Sequence, residues 1–250
     1  MTKNLIAICF IVGVALCAVA AGQTVDELLQ KNLAARGGLD KVRATKSIRM
    51  TAKVHTDNIE IAASVQIKRT GMARIDAEFQ GMKIVQAYDG EVAWQINAPE
   101  GKTEPEKMSG DDEKDVREMG DIDGPLVDYK AKGNAVELVG KEDLEATPVY
   151  KLKVTEKNGA VRYFYLDCKS YLELKVSSKR KVEGKDVTAD EYFGDYKSVG
   201  GLMMPHSIES RVDGHVDNQI VIEKIELDVD IDDGIFKMPK KPEAKPAKGA

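Results

Sequence analysis

From residue 48 to residue 231 the chain keeps returning to a period of two, and that period leaves room for little besides β-sheet. Ile48, Met50, Ala52 and Val54 alternate with polar neighbours, followed by Ile59, Ile61, Ala63, Val65 and Ile67, and then by Ala73, Ile75, Ala77 and Phe79. Successive side chains of a strand point to opposite faces, so each run predicts a strand with one apolar face. Further runs span 83–88, 92–97, 136–140, 149–155, 161–167, 172–181, 187–196, 202–211 and 216–231. Turn signals such as Asp89-Gly90 and Asn158-Gly159 separate them. About eleven or twelve strands follow one another with few helices between, which predicts a mainly β, antiparallel sheet curled on itself rather than parallel βαβ units.

Two segments break the pattern. Thr24-Val25-Asp26-Glu27 has capping-box spacing and precedes Leu28, Leu29 and Leu33, with Arg36-Gly37-Gly38 after them, which predicts an N-terminal helix ending at glycine. The stretch 99–132 is charged and glycine-bearing, and predicts a short helix over Ser109 to Met119 lying across one end or face of the sheet. From Lys237 the chain becomes Lys, Pro, Ala and Glu, so Pro239 to Ala250 reads as a disordered tail.

The N-terminus reads as an export signal. Lys3 precedes an apolar run from Leu5 to Val19, and small residues surround Ala20 and Ala21. Leu16 before Cys17 is too large for a lipoprotein signal, so cleavage is expected after Ala20 or Ala21. That removes Cys9 and Cys17 and leaves Cys168, which has no partner for an internal disulfide. The expected organisation is a signal peptide over 1–21, one domain over 22–238 and the tail over 239–250. At 250 residues and 42% hydrophobic the chain can bury a core unaided. A net charge of -5 argues against nucleic-acid binding, which rests on clustered positive charge.

Motifs for catalysis are lacking: no GxSxG, HExxH, CxxC, P-loop or post-strand GxGxxG is present. His55, His206 and His215 are too scattered to suggest a metal site by spacing. His206 and Ser207 would point to opposite faces of a strand, so His206 reads as a strand-end residue, and Cys168 as a small packed one. Asp228, Asp230, Asp232 and Asp233 resemble the start of a calcium loop, but the glycine and glutamate places of an EF-hand hold Asp233 and Pro239. Ile225, Leu227, Val229 and Ile231 alternate with these acids, as in a half-buried strand. The acidic run from Gly110 to Asp123 reads as a solvated helix or loop. The expectation is a protein without cofactor or metal that is not an enzyme.

A curled sheet with aliphatic alternation needs its concave face filled. Either helices plug it, or it stays partly open to an apolar ligand. The N-terminal helix and the 99–132 insertion are few plugs for so much sheet. Methionines such as Met50, Met82 and Met119 could give an open face adaptability.

Lys68-Arg69 at a strand end, Asp89-Gly90, Trp94 and Pro99, then the closing Asp232-Asp233-Gly234-Ile235-Phe236-Lys237-Met238-Pro239, in that order, resemble the LolA-like family of periplasmic lipoprotein carriers, the outer-membrane lipoprotein-sorting proteins. Phe193-Gly194-Asp195-Tyr196, Gly200-Gly201-Leu202 and Pro205-His206 resemble a segment of the broader superfamily. The similarity covers most of 23–239. It implies an unclosed antiparallel half-barrel of about eleven strands, covered by the N-terminal helix and a helical lid, that carries acyl chains of lipoproteins or lipids. It also implies a periplasmic location, a monomer with transient membrane contact, and exchange with an inner-membrane lipoprotein-releasing transporter and an outer-membrane acceptor. Arg69 matches the arginine that bonds to the family's lid, although Thr70 replaces the proline that commonly follows; from the residues alone it reads equally as a solvated strand-end charge. The residues assigned to cavity and lid are Arg69, Met50, Ile61, Val65, Met82, Trp94 and Met119, with core packing the simpler reading of Trp94. An envelope-stress sensor of related fold, a filled-core structural domain and a hydrolase using Cys168 or His206 stand as alternatives.

Overall fold

The computed structural model describes residues 23–57, 59–182 and 185–240, so the expected signal peptide and most of the expected tail lie outside the described residues. The chain runs through helices α1 (Val25–Ala35) and α2 (Leu39–Ala44) into strands β1 (Ser47–Thr56), β2 (Ile59–Lys68), β3 (Met72–Phe79), β4 (Met82–Tyr88), β5 (Ala93–Asn97) and β6 (Lys102–Lys107). Helix α3 (Gly110–Met119) follows, then β7 (Ala135–Leu144), β8 (Thr147–Thr155), β9 (Val161–Asp167), β10 (Glu173–Val182), β11 (Lys185–Gly194), β12 (Lys197–Val199), β13 (Leu202–Met204), β14 (Ser207–Val212) and β15 (His215–Leu227). Thirteen strands form one antiparallel sheet in the order β6-β5-β4-β3-β2-β1-β15-β14-β11-β10-β9-β8-β7, and β12-β13 form a separate hairpin. Edges β6 and β7 do not pair, so the barrel is unclosed, as expected.

The sheet has thirteen strands where about eleven or twelve were expected, and the main departures have local reasons. β6 lies in Lys-Thr-Glu-Pro-Glu-Lys, an edge strand with no apolar face to reveal it, and its addition shortens the insertion to 108–134. The run 202–211 divides at Pro205, which has no N–H for a ladder. The last run stops at Leu227 instead of Ile231 because Asp228 takes a left-handed φ of 55°. Asp228 is held there by its carboxylate, which accepts from the Lys46 N–H at 2.6 Å.

Register assigns the two faces. Ile48, Met50, Ala52 and Val54 of β1 stand opposite Ile67, Val65, Ala63 and Ile61 of β2, and opposite Leu227, Ile225, Ile222 and Ile220 of β15 across a bulge. These side chains share the inner, concave face. At one end of that face α1 drops Leu28 onto Tyr150, Leu152, Phe164 and Leu166 of β8 and β9, with Leu126 beside it. The capping box holds the start of α1: Thr24 Oγ1 accepts from the Glu27 N–H, and Glu27 accepts from the Thr24 N–H. Buried Asn32 donates to the Tyr171 carbonyl at 2.9 Å, tying α1 to the β9–β10 turn. At the other end α3 seats Val116 and Met119, with Met108 before it, against Ala73 and Ala93.

The outer face of β1–β5 is crossed by residues 229–238. One rung after another fastens this strap: Ser47 donates to the Val229 carbonyl at 2.6 Å, Lys68 to Ile231 at 3.0 Å, Arg74 to Ile235 at 2.5 Å and Trp94 Nε1 to Phe236 at 2.7 Å. Phe236 is fully buried, and Val85, Ala87 and Trp94 form the cluster that receives Met238. The closing motif seen in the sequence is therefore a clamp, and its acids are occupied: Asp232 caps the turn at Gly234 and Asp233 pairs with Lys68.

Candidate functional site

The concave face is a trough whose burial is graded along its strands. In β2, Ile67 is 6% exposed beneath the helices, Ile61, Ala63 and Val65 are half-buried, and Ile59 reaches 37%. The same half-buried state holds at Met50 and Val54 of β1, Ile75, Ala77 and Phe79 of β3, Met82 and Ile84 of β4, Val187 and Phe193 of β11, Ile208 of β14 and Ile220 of β15. An aliphatic floor thus runs out from under the helices into solvent. Residues 108–134 cross over it, from the β6 edge to the β7 edge, and form the lid.

Arg69 follows β2 directly and binds this lid to the helices. Its Nε donates to the Thr45 carbonyl at 2.5 Å, Nη2 to the Val42 carbonyl, and Nη1 to the Asp123 carboxylate at 2.9 Å. The first two acceptors lie at the C-terminal end of α2, where carbonyls lack intrahelical partners. Gly120 fits the lid to the sheet. A Cβ there would lie 2.2 Å from the Gly71 carbonyl oxygen, so only glycine permits this approach. A cleft of about 300 Å³ opens at this contact, lined by Arg69, Tyr88, Arg117 and Asp123, and another of about 400 Å³ lies between α1 and the lid beside Leu29, Leu33 and Tyr129.

The far side of α3 meets charge. Asp115 pairs with Arg180 of β10 at 2.8 Å, and Glu118 with Arg162 of β9 at 3.1 Å; Arg162 also binds Glu156. Arg162 stands opposite Ser178, and Glu191 opposite Val176, with Arg180 two residues beyond Ser178, so all three project from the concave face. Burial holds the Asp115 carboxyl above the usual carboxylate range, more than Arg180 lowers it. Burial likewise raises Glu191 against the pull of Arg180. Glu191 is still reached by water, a combination that fits a group on the wall of an open trough with protein on several sides.

Met50 and Val65 are cross-strand partners on the floor, Ile61 lies beyond them, Met82 faces Phe79 at the β3–β4 hairpin, and Met119 packs from the lid against the same floor. Arg69 joins this group at the lid. Trp94 does not: it is 1% exposed on the outer face, under the strap, with Arg74 stacked 5.6 Å from its ring. Buried His206 is a turn residue whose N–H donates to the Gly194 and Asp195 carbonyls and whose Nδ1 lies 3.1 Å from the Met204 carbonyl. Burial pushes the half-buried Cys168 thiol up, away from the thiolate a nucleophile needs. Sequence reasoning missed Arg162, Arg180 and Glu191. The available signal was parity: Arg162 alternates in phase with Phe164 and Leu166, as Arg180 does with Val176.

No family model matches the sequence, and no curated protein matches it. The fold is similar to that of a LolA superfamily protein from Nitrosomonas europaea, at 14% identity and a TM-score of 0.56 over 86% of this chain and 98% of that one. It is also similar to a putative outer membrane lipoprotein-sorting protein domain from Vibrio parahaemolyticus, at 12% identity and a TM-score of 0.53 over 85% and 97%. A DUF1329 family protein from Desulfovibrio piger gives 12% and 0.51 over the same shares. The likeness is one of fold, and the fold is the one the sequence resemblance implies.

Proposed function

We propose that the protein is a periplasmic carrier that takes acyl chains of lipoproteins or lipids into the trough beneath the lid and delivers them toward the outer membrane. The observation that carries this reading is the graded aliphatic floor, dry under α3 and half-exposed from Met50 and Val65 outward. A filled core would leave no such stripe, and an acyl chain laid on it gains about 0.8 kcal/mol for each methylene taken out of water. Such a chain cannot cross an aqueous compartment unaccompanied, while a carrier must also release it. A trough lidded by one short helix answers both demands and needs no reacting group.

Among the described residues no helix is long and apolar enough to cross a membrane. Transfer would then rest on transient contact with a donor in the inner membrane and an acceptor in the outer, with the carrier acting as a monomer.

The test is titration with a fluorescent fatty-acyl probe beside mass spectrometry of lipid co-purified with the protein. Saturable binding at one or two chains per protein, in the micromolar range or tighter, is expected, with Val65→Glu reducing it at least tenfold by placing a charge on the floor. Binding no better than that of heat-denatured protein would sink the proposal.

A further inference from the structure

Two guanidinium groups project from the concave face beside its aliphatic floor, Arg162 with 24% of its side chain exposed and Arg180 with 40%. Arg162 and Arg180 occupy inward positions on adjacent strands, and their partners come from the lid: Glu118 at 3.1 Å and Asp115 at 2.8 Å. A second contact, from Arg180 Nη2 to Asp115 at 2.9 Å, makes that pair two-pronged, the arrangement in which a guanidinium grips a carboxylate or phosphate. Arg162 is engaged less fully. Its Nη atoms reach Glu118 and Glu156, but its Nε is buried without an acceptor, and Glu118 Oε1 has Lys114 Nζ at 3.6 Å but no hydrogen-bond donor, among the described residues. A pair built only to tether the lid has no use for an idle buried donor.

We propose that Arg162 and Arg180 form the headgroup site of the trough, binding acyl ligands that carry an acid headgroup, and that Asp115 and Glu118 occupy this site as stand-ins when it is empty. The proposal rests on the lipid-cavity reading and gives it a ligand class: an anionic amphiphile, either a fatty acid with its carboxylate or a lipid phosphomonoester. When α3 lifts, the lid carboxylates leave with it. Glu156 and Glu191 stay near the two guanidinium groups, and Arg180 becomes the freer of the pair because Glu156 remains on Arg162. Ligand acid and lid acid then exclude one another, so loading and lid opening are the same event.

The experiment uses displacement of the neutral dye N-phenyl-1-naphthylamine from the whole protein at pH 7.5. Oleate is compared with oleyl alcohol, and dioctanoyl phosphatidic acid with dioctanoylglycerol, which match chains and change only the headgroup. The acid of at least one pair is expected to bind about tenfold or more tightly than its neutral partner, as charge-assisted hydrogen bonds predict. Preference in the first pair alone identifies a fatty acid, in the second alone a phospholipid, and in both a general acid site. Arg162→Gln/Arg180→Gln should erase the preference while saturable dye binding remains. Asp115→Asn/Glu118→Gln provides a check that damage cannot mimic: the preference for acid over neutral ligands should widen several-fold. A mere tether predicts equal changes for both classes. Dye binding with no acid preference, or with a preference that survives loss of both arginines, overturns the headgroup site and leaves the cavity reading standing. Absence of saturable dye binding overturns both.

Discussion

Arg69 shows how much a single side chain on this scaffold ties together. A guanidinium offers five donors in one plane, and here three of its nitrogens reach Val42 and Thr45 at the end of α2 and Asp123 in the lid. Arg69→Leu leaves two carbonyls and a carboxylate without that donor, so a stability loss of about 2 kcal/mol is expected, at roughly 1 kcal/mol per bond less some recovery by water. Amide exchange should quicken in 120–134 before it quickens in β8 or β9. Uniform quickening would mean that Arg69 holds the fold and not the lid. Trp94→Phe removes the donor to the Phe236 carbonyl together with part of a buried ring, and about 1–3 kcal/mol should be lost. Acyl-probe affinity should not change, because Trp94 lies on the face away from the trough. The position of Arg69 at a strand end was legible in the sequence, but its acceptors depend on where α2 stops. Trp94 was not placed because Ala93 and Trp94 are both apolar, so in β5 alternation does not say which face is inner.

At the scale of elements, α3 is held by apolar contact on one side and by charge on the other, and each side can be tested alone. Gly120→Ala pushes a methyl into the Gly71 carbonyl, which is backbone and cannot swing away. A cost of about 1–3 kcal/mol is expected, with faster amide exchange in α3 as Val116 and Met119 lose their seat. The charged side responds to pH. Because the folded protein holds the Glu191 carboxyl above its unfolded value, the folded state binds more protons in the interval between the two, and stability falls as pH rises through that interval. Glu191→Gln does not titrate, so its melting temperature should gain on wild type from the ordinary carboxylate range upward and show no pH-dependent gain below it. A gap that is constant from pH 3 to pH 8 would remove Glu191 from the account. Elements were legible where one face was apolar. β1–β4 stand close to where alternation put them, whereas β6 was hidden because a solvated edge strand has no apolar phase, and the end of β15 was hidden because the left-handed turn at Asp228 leaves the alternation of Val229 and Ile231 intact.

The whole molecule is a sheet with two unlike walls. The wall of β1–β5 is clamped on both faces, by α3 within and by the 229–238 strap without, whereas the wall of β8–β14 is covered within by α1 and the lid. Its outer face dresses itself: Lys175 lies between the rings of Tyr165 and Tyr192, and Arg211 sits 4.1 Å from the Tyr192 ring, so aliphatic stems and cations shield aromatics that would otherwise need a cover. A trough between a clamped wall and a self-covered one has a natural division of labour, with the first fixing the floor under Met50 and Val65 and the second free to move with its arginines when α3 lifts. The strap is then the part on which floor geometry depends, although it touches no part of the trough. Phe236 is its anchor, fully buried against the outer face. Phe236→Ala should cost about 3–5 kcal/mol, the ordinary loss for emptying an aromatic site, and should release the rungs from Ser47 to Trp94 together because they share one backbone segment. In urea, amide protection of β1–β5 should be lost at lower concentration than that of β8–β10, a separation that wild type should not show. Probe affinity of the variant should fall even where the protein is still folded, since the floor loses its curvature without losing a single lining side chain. An unchanged affinity at full folding would show that the floor is shaped by β1, β2 and α3 alone, and would confine the strap to stability.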